Sequence, residues 1–288
     1  MGNPTFYIVD VFAEKKYAGN QLAVVRGAAG LSNTEMQSIA AEMNYSETTF
    51  VLSDEERNGG YDVRIFTPKE EVPFAGHPTL GTAYVTRQEI IGNSVERVTL
   101  NLKAGQIPVT FGDVLWMKQL PPTFGDTLDQ ARVSRVLSLE EADLDEQFPI
   151  QEVSTGLPCI VAPLKGLKAL ERCQVDRDGY YELISTAWAK AILVFSPEPY
   201  DKADLSVRFF ADYYGVSEDP ATGSANGCLA GYLVEHRYLD ADSIDVRVEQ
   251  GYEIGRPSLL YLRAEEKEDE INVSVGGKVQ MVAKGELL

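Results

Sequence analysis

Apolar and polar positions alternate along the chain in short runs bounded by glycine, the pattern of strands and turns. Residues 6–12 and 21–25 are β-rich runs, with the turn segment Tyr17-Ala18-Gly19-Asn20 between them. A helix is predicted next. Ser32 and Glu35 have the spacing of a capping box, Leu31 can staple onto Met36, and Met36, Ile39, Ala40 and Met43 share one face up to about Asn44. Strands follow at 48–52 and 62–67, then a helix with Pro78 in its first turn, where the missing N–H is not needed. The second half runs in the same order: strands at 152–161 around Gly156-Leu157-Pro158, a helix at 179–187, strands at 191–195 and 207–210, and a helix from Ser224. The run 265–270 predicts a charged hairpin tip. Residues 271–275 and 279–283 predict a closing hairpin turned at Gly276-Gly277.

The two halves match in detail. Val63-Arg64-Ile65-Phe66 leads in twelve positions from Val63 to Ala75, then Gly76-His77-Pro78-Thr79. Val207-Arg208-Phe209-Phe210 leads from Val207 over the same interval to Asp219, then Pro220-Ala221-Thr222-Gly223-Ser224. The offset of 144 is half of the 288 residues. The glycines in both helices cost roughly 1 kcal/mol each relative to alanine, which fits helices wrapped closely by sheet. The expected fold class is α+β: two pseudo-symmetric domains, each a curved, mainly antiparallel sheet or barrel around a central helix. The expected boundaries are 1–122 joined by a C-terminal strand at about 278–288, and 123–277.

Composition narrows the function. A net charge of −18 argues against nucleic acid and against an anionic membrane surface. Apolar runs fall short of the ~18 residues a membrane span needs. Three cysteines, Cys159, Cys173 and Cys228, are too few and too irregular for a disulfide framework, so a reducing, cytoplasmic setting is expected. The start of the chain reads as a strand, not a signal peptide. No metal-ligand spacing, phosphate-binding loop or dinucleotide fingerprint occurs, so no metal and no cofactor are expected.

The chemistry-bearing positions are few. Glu47 lies where Asn44-Tyr45-Ser46-Glu47-Thr48 enters an apolar strand. It is either a desolvated carboxylate suited to proton transfer or an ordinary loop-edge glutamate. Residues 50–53 align with 193–196, which puts Lys190 in the matching region of the second half. His77 stands at a helix start, where backbone amides attract anions; it can hold a carboxylate, assist proton transfer or act as a local cap. Asp219 precedes the second central helix and is either a cap or half of an acid–base pair with Glu47. Gly223 and Ser224 offer amides and a hydroxyl to an anion. His236, in the last turn of that helix, is expected to complement its dipole. Cys228 is expected to be core packing.

Taken together, Gly19-Asn20-Gln21-Leu22, Asn44-x-Ser46-Glu47-Thr48, Phe66-Thr67-Pro68, Phe74-Ala75-Gly76-His77-Pro78-Thr79, Glu218-Asp219-Pro220-Ala221-Thr222-Gly223-Ser224-Ala225 and Gly276-Gly277-Lys278-Val279 resemble the PhzF family of phenazine-biosynthesis isomerases. The resemblance covers nearly the whole chain. It implies the diaminopimelate epimerase-like fold, with a ligand cleft between its domains, and a homodimer. Related epimerases place a cysteine before each central helix; the matching positions here are Ala75 and Asp219, which disfavours two-thiol racemisation. The resemblance makes Glu47, His77 and Asp219 catalytic. Asn20, Ser46, Gly76, Gly223 and Ser224 are expected to bind substrate. The implied reaction is cofactor-independent isomerisation of a small anionic substrate, trans-2,3-dihydro-3-hydroxyanthranilate in the family, by proton transfer between ring carbons. A non-catalytic small-molecule or partner-binding protein on the same fold, and an epimerase or racemase, are the alternatives.

Overall fold

The computed structural model describes residues 3–92, 94–268 and 270–288. They divide into two compact units, Met1–Met117 with Gly276–Leu288, and Lys118–Val275. Among the described residues no helix is long and apolar enough to cross a membrane.

The first unit contains β1 (Thr5–Val11), β2 (Asn20–Arg26), α1 (Asn33–Met43), β3 (Thr48–Val51), β4 (Tyr61–Phe66), the short β5 (Glu71–Val72), α2 (Gly76–Val85), β6 (Arg97–Leu102), β7 (Gly105–Phe111) and β8 (Leu115–Lys118). Ser32 caps α1 with the predicted reciprocal box to Glu35, and Asn44 ends it in the left-handed conformation. Strands pair in the order β1-β2-β3-β4-β6-β7-β8. The pairs β2/β3 and β4/β6 are parallel and the others antiparallel. Helix α2 is the crossover between β4 and β6, and it packs on β1, β2, β3, β6 and β7. All of it is buried except Tyr84. The glycine in its middle is required by that wrapping: a Cβ on Gly81 would stand 2.5 Å from Leu22 Cδ2 and 2.9 Å from Val11 Cγ2.

The second unit contains β9 (Thr123–Thr127), α3 (Gln130–Val136), β10 (Gln151–Ser154), β11 (Cys159–Pro163), α4 (Leu167–Arg172), α5 (Arg177–Thr186), β12 (Ile192–Ser196), β13 (Leu205–Phe210), α6 (Gly223–Glu235), β14 (Ser243–Gln250), β15 (Ser258–Lys267) and β16 (Glu270–Gly277). The pairings repeat those of the first unit. β11/β12 and β13/β14 are parallel; β9/β10, β10/β11, β12/β13 and β14/β15 are antiparallel. Helix α6 is the crossover between β13 and β14 and packs on β10, β11, β14 and β15. The charged tip between β15 and β16 includes Glu268 at φ 51°; Asp269 lies outside the described residues.

The expected closing hairpin is corrected. Gly276 and Gly277 lie inside β16, and only Lys278 separates it from β17 (Val279–Glu286), too short a link for a hairpin turn. β17 belongs to the first unit, where it pairs antiparallel with β1 from Val11↔Val279 to Thr5↔Glu286.

Ladder register corrects the alignment of the halves. Thr48 opposite Phe66 becomes Ile192 opposite Phe210, an offset of 144 at both residues. The residue before β3 is Glu47 and the residue before β12 is Ala191, so the counterpart of Glu47 is Ala191 and not Lys190. The helices follow a different offset. The N-cap of α2 is Ala75 and that of α6 is Thr222, 147 positions on. The loop before α6 is three residues longer; the Asp219 N–H bonds to Phe209 where Val72 pairs with Ile65, so the extra residues precede Asp219, which matches Val72 and not Ala75.

Candidate active site

In the first unit the site is assembled where β3 begins beside the start of α2. Asn44 turns the chain out of α1, and Tyr45-Ser46-Glu47 delivers it to β3. Thr49 and Thr82 share a buried hydroxyl hydrogen bond of 2.7 Å, which ties β3 to α2. Glu47 and His77 are thereby brought together, with Glu47 Oε2 3.4 Å from His77 Nε2. The His77 side chain is only 7% exposed and that of Glu47 19%.

Burial disfavours the imidazolium and pushes the His77 pKa down to about 3, against a smaller upward pull from a hydrogen bond to the Gln21 backbone. At neutral pH the ring is therefore neutral. His77 Nε2 itself makes no hydrogen bond among the described residues. With the ring's one N–H donated to the Gln21 carbonyl, Nε2 presents a lone pair toward Glu47. Nε2 can accept a hydrogen bond from Glu47 when that carboxyl group holds a proton; taking the proton outright would make the ring a buried imidazolium, which the same burial disfavours.

Gly19-Asn20-Gln21 has a mechanical reason to be where it is. Gly19 takes φ 69°, and a Cβ there would lie 2.3 Å from the Val11 carbonyl oxygen. The bend it permits starts β2 at Asn20, which is buried, and presents the Gln21 carbonyl to His77. Ser46 is half-buried one residue before Glu47, and Gly76 is buried at the first position of α2.

In the second unit Asp219 is 8% exposed and stands three residues before the α6 N-cap. It is not itself the cap. The Thr222 hydroxyl donates to Asp219 Oδ2, and the Asp219 N–H donates to the Phe209 carbonyl at the end of β13. Gly223, buried, and Ser224, half-buried, open α6. Gln250, at the end of β14, binds both the Asp219 carbonyl (2.8 Å) and Thr222 Oγ1 (3.1 Å).

The remaining candidates fall elsewhere. Lys190 Nζ binds the carbonyls of Ile184 and Ala187 at the end of α5, a structural cap. His236 is the C-cap of α6, with Nε2 2.7 Å from Gln151 Oε1. Burial lowers its pKa, so it is a neutral hydrogen-bonding ring and not a cation on the helix dipole. All three cysteines are free and buried, Cys228 within the middle of α6, and the two N-cap residues are alanine and threonine.

Gln21, Thr222 and Gln250 were not foreseen as site residues. Gln21 acts through its backbone, which no side-chain pattern reveals. Gln250 does leave a signal. Ile244, Val246 and Val248 are the inward positions of β14, and Gln250 continues that alternation with a polar group.

The profile of the phenazine biosynthesis-like protein family matches residues 9–285. The chain is 35% identical over 300 residues to an uncharacterized isomerase of Clostridium acetobutylicum, covering 98% of this chain and 97% of that one. It is 35% identical over 292 residues to the trans-2,3-dihydro-3-hydroxyanthranilate isomerase of Pseudomonas chlororaphis, covering 98% and 99%. The crystal structure of a Bacillus anthracis phenazine biosynthesis protein of the PhzF family superposes over the full length of both chains, with a TM-score of 0.91 at 30% identity.

Proposed function

The chain belongs to the phenazine biosynthesis-like, or PhzF, family, and from that premise we propose an isomerase that needs no cofactor and moves a proton between carbons of a small, anionic, unsaturated ring, of the class of trans-2,3-dihydro-3-hydroxyanthranilate. The observation that carries this reading is Glu47 held against a neutral, buried His77. Glu47 takes the proton from a carbon adjacent to the unsaturated system. The C–H electron pair enters the conjugated system, the double bonds shift, and a proton from the Glu47 carboxyl group, which exchanges with solvent, is delivered to a different carbon. Atoms and charge balance within the ligand and Glu47. His77 stays neutral and accepts a hydrogen bond at Nε2 from the Glu47 carboxyl group while that group holds the proton.

Asn20, Ser46 and the Gly76 amide, with Asp219 and the amides and hydroxyl of Gly223 and Ser224, are assigned to holding the ligand's carboxylate and polar substituents. Backbone amides at helix starts favour bound anions. The absence of cysteine at both helix N-caps supports one-carboxylate chemistry over two-thiol racemisation. The free cysteines support a reducing, cytoplasmic setting, and family likeness supports a homodimer, which sedimentation equilibrium would test.

The decisive experiment follows trans-2,3-dihydro-3-hydroxyanthranilate with the wild type and Glu47→Gln in deuterium oxide. General acid–base catalysis is worth ~10²–10⁴-fold, and Glu47→Gln is expected to lose at least the lower figure while the fold survives. Deuterium should appear at a ring carbon with the wild type. Turnover within a few-fold in the variant, or binding without deuterium uptake, overturns the assignment; the second result would make the protein a binder.

A further inference from the structure

We propose that Gln250 is a positioning residue: its side-chain amide aims the Thr222 hydroxyl at the Asp219 carboxylate and fixes the loop between Asp219 and the start of α6. The inference rests on the reading of Asp219 as a site residue.

The Gln250 amide uses its full hydrogen-bonding capacity on this one segment. Nε2 donates to the Asp219 carbonyl at 2.8 Å and to Thr222 Oγ1 at 3.1 Å. Oε1 accepts from the Thr222 N–H at 3.2 Å and from Asn226 Nδ2 at 2.9 Å. A primary amide has two donor hydrogens and two acceptor lone pairs, and all four are engaged. The orientation is forced, because the Asp219 carbonyl can only accept and the Thr222 N–H can only donate. The consequence falls on the Thr222 hydroxyl. Its oxygen receives a hydrogen from Gln250, so its own hydrogen is directed away from the amide, and Asp219 Oδ2 lies at hydrogen-bond distance to take it. An unconstrained threonine hydroxyl rotates to whichever partner suits it; this one has a single direction.

The first unit shows what the same place looks like without a carboxylate. In β4/β6, Tyr61 pairs with Leu100 and Asp62 with Asn101; in β13/β14, Leu205 pairs with Val248, Ser206 with Glu249 and Val207 with Gln250. One step beyond Asn101, the position matching Gln250 is Leu102. The helix starts correspond as well. Thr79 Oγ1 donates to the Ala75 carbonyl, and Asn226 Nδ2 makes the equivalent bond to the Thr222 carbonyl. Where Ala75, Thr79 and Leu102 stand in one unit, Thr222, Asn226 and Gln250 stand in the other. Gln250 is 1% and Asn226 0% exposed. A buried amide is costly unless its bonds are made; the Gln250 amide makes all of its own, while Asn226 donates through Nδ2 and its Oδ1 has no partner among the described residues.

The backbone holds β14 against the loop too. Gly251 takes φ 80°, and a Cβ there would lie 2.6 Å from the Pro220 carbonyl oxygen. Neighbouring charges are occupied elsewhere. Arg208 binds Glu218 through both carboxylate oxygens at 2.8 Å, and Glu249 accepts from Ser206 and from the backbone of Tyr200, Asp201 and Lys202.

The test measures the Asp219 carboxyl by ¹³C NMR titration, assigned by difference from Asp219→Asn, in the wild type, Gln250→Leu, Gln250→Glu and Thr222→Val. A hydrogen bond to a carboxylate favours the ionised form, so removing the donor or the group that orients it is expected to move the Asp219 titration to higher pH in all three variants. Gln250→Glu should move it furthest, because it adds a second anion. Thr222→Ser should return the titration toward the wild type. On trans-2,3-dihydro-3-hydroxyanthranilate, kcat/KM should fall about tenfold or more in Gln250→Leu, with its acidic limb displaced in the same direction as the carboxyl titration. An Asp219 titration that stays at the wild-type position in folded Gln250→Leu and Thr222→Val overturns the proposal. If Gln250→Leu fails to fold, Gln250→Glu and Thr222→Val carry the same test. A wild type that does not turn over this compound overturns the substrate reading alone, since the carboxyl titration needs no substrate.

Discussion

His77 ties the chemistry of the first unit to its stability. The folded ring titrates at about 3, against 6.5 for an ordinary histidine. Between those values the unfolded chain binds a proton that the folded chain does not, so stability rises with pH across the window and is lost as pH falls from 6.5 toward 3. One proton corresponds to about 1.4 kcal/mol per pH unit. Urea midpoints for the wild type and His77→Asn at pH 6 and pH 4 isolate this part: the variant should lose less stability on acidification, by roughly that slope. Equal slopes would mean that His77 is already charged in the fold or is not buried as described. The same burial keeps His77 a neutral hydrogen-bond acceptor beside Glu47, so the transferred proton stays with the carboxyl group.

At the scale of elements, the two units use one plan with different tolerances. Arg64 and Arg208 hold matching places in β4 and β13, each lying 5.0 Å over a phenylalanine ring two residues on and each gripping a carboxylate. The Arg64–Glu71 side chains are about a quarter exposed, at 24% and 25%, whereas those of Arg208–Glu218 are 9% and 12%. Glu253 also lies 3.9 Å from Arg208, and burial raises its pKa. Removing Arg208 strands buried carboxylates, so Arg208→Met should cost ~3–5 kcal/mol. Arg64→Met should cost about 1 kcal/mol or less. Denaturant midpoints would show the difference, and equal losses would sink the argument from burial. Helix α2 is equally intolerant at its centre: Gly81→Ala should cost about 1–3 kcal/mol by overpacking against Leu22 and Val11, despite the higher helix propensity of alanine.

These elements also show why the sequence was legible in part. Strand order, both central helices and the halving offset were visible because ladder register keeps paired strands in step. Loops are free to absorb insertions, and the three-residue excess before α6 carried Asp219 away from the true counterpart of Ala75. A one-residue slip likewise placed Lys190 in the region matching Glu47, where the ladder puts Ala191. The closeness of Glu47 and His77 depends on a Thr49–Thr82 bond and the Gln21 carbonyl, which no linear spacing encodes.

At the scale of the whole molecule, the chain leaves the first unit at Met117 and returns to it at Gly276. The second unit is therefore continuous, with a core cluster of its own that includes Val133, Leu170, Tyr180, Ile192 and Phe210. The first unit is split. A fragment ending at residue 117 lacks β17, so β1 loses the partner it pairs with along its whole length and exposes an open, apolar edge. Such a fragment should be poorly soluble and unfold without a cooperative transition. The ends of the chain point to the remedy. Glu286 lies opposite Thr5, and the Leu287 N–H donates to the Pro4 carbonyl, so the end of β17 and the start of β1 are neighbours. Placing 276–288 ahead of 3–117 through a two-residue turn joins β17 and β1 as a hairpin. That permuted chain should give dispersed amide resonances and a single denaturant transition. Behaviour no better than that of 1–117 would show that the returning strand is insufficient and that the first unit does not fold by itself.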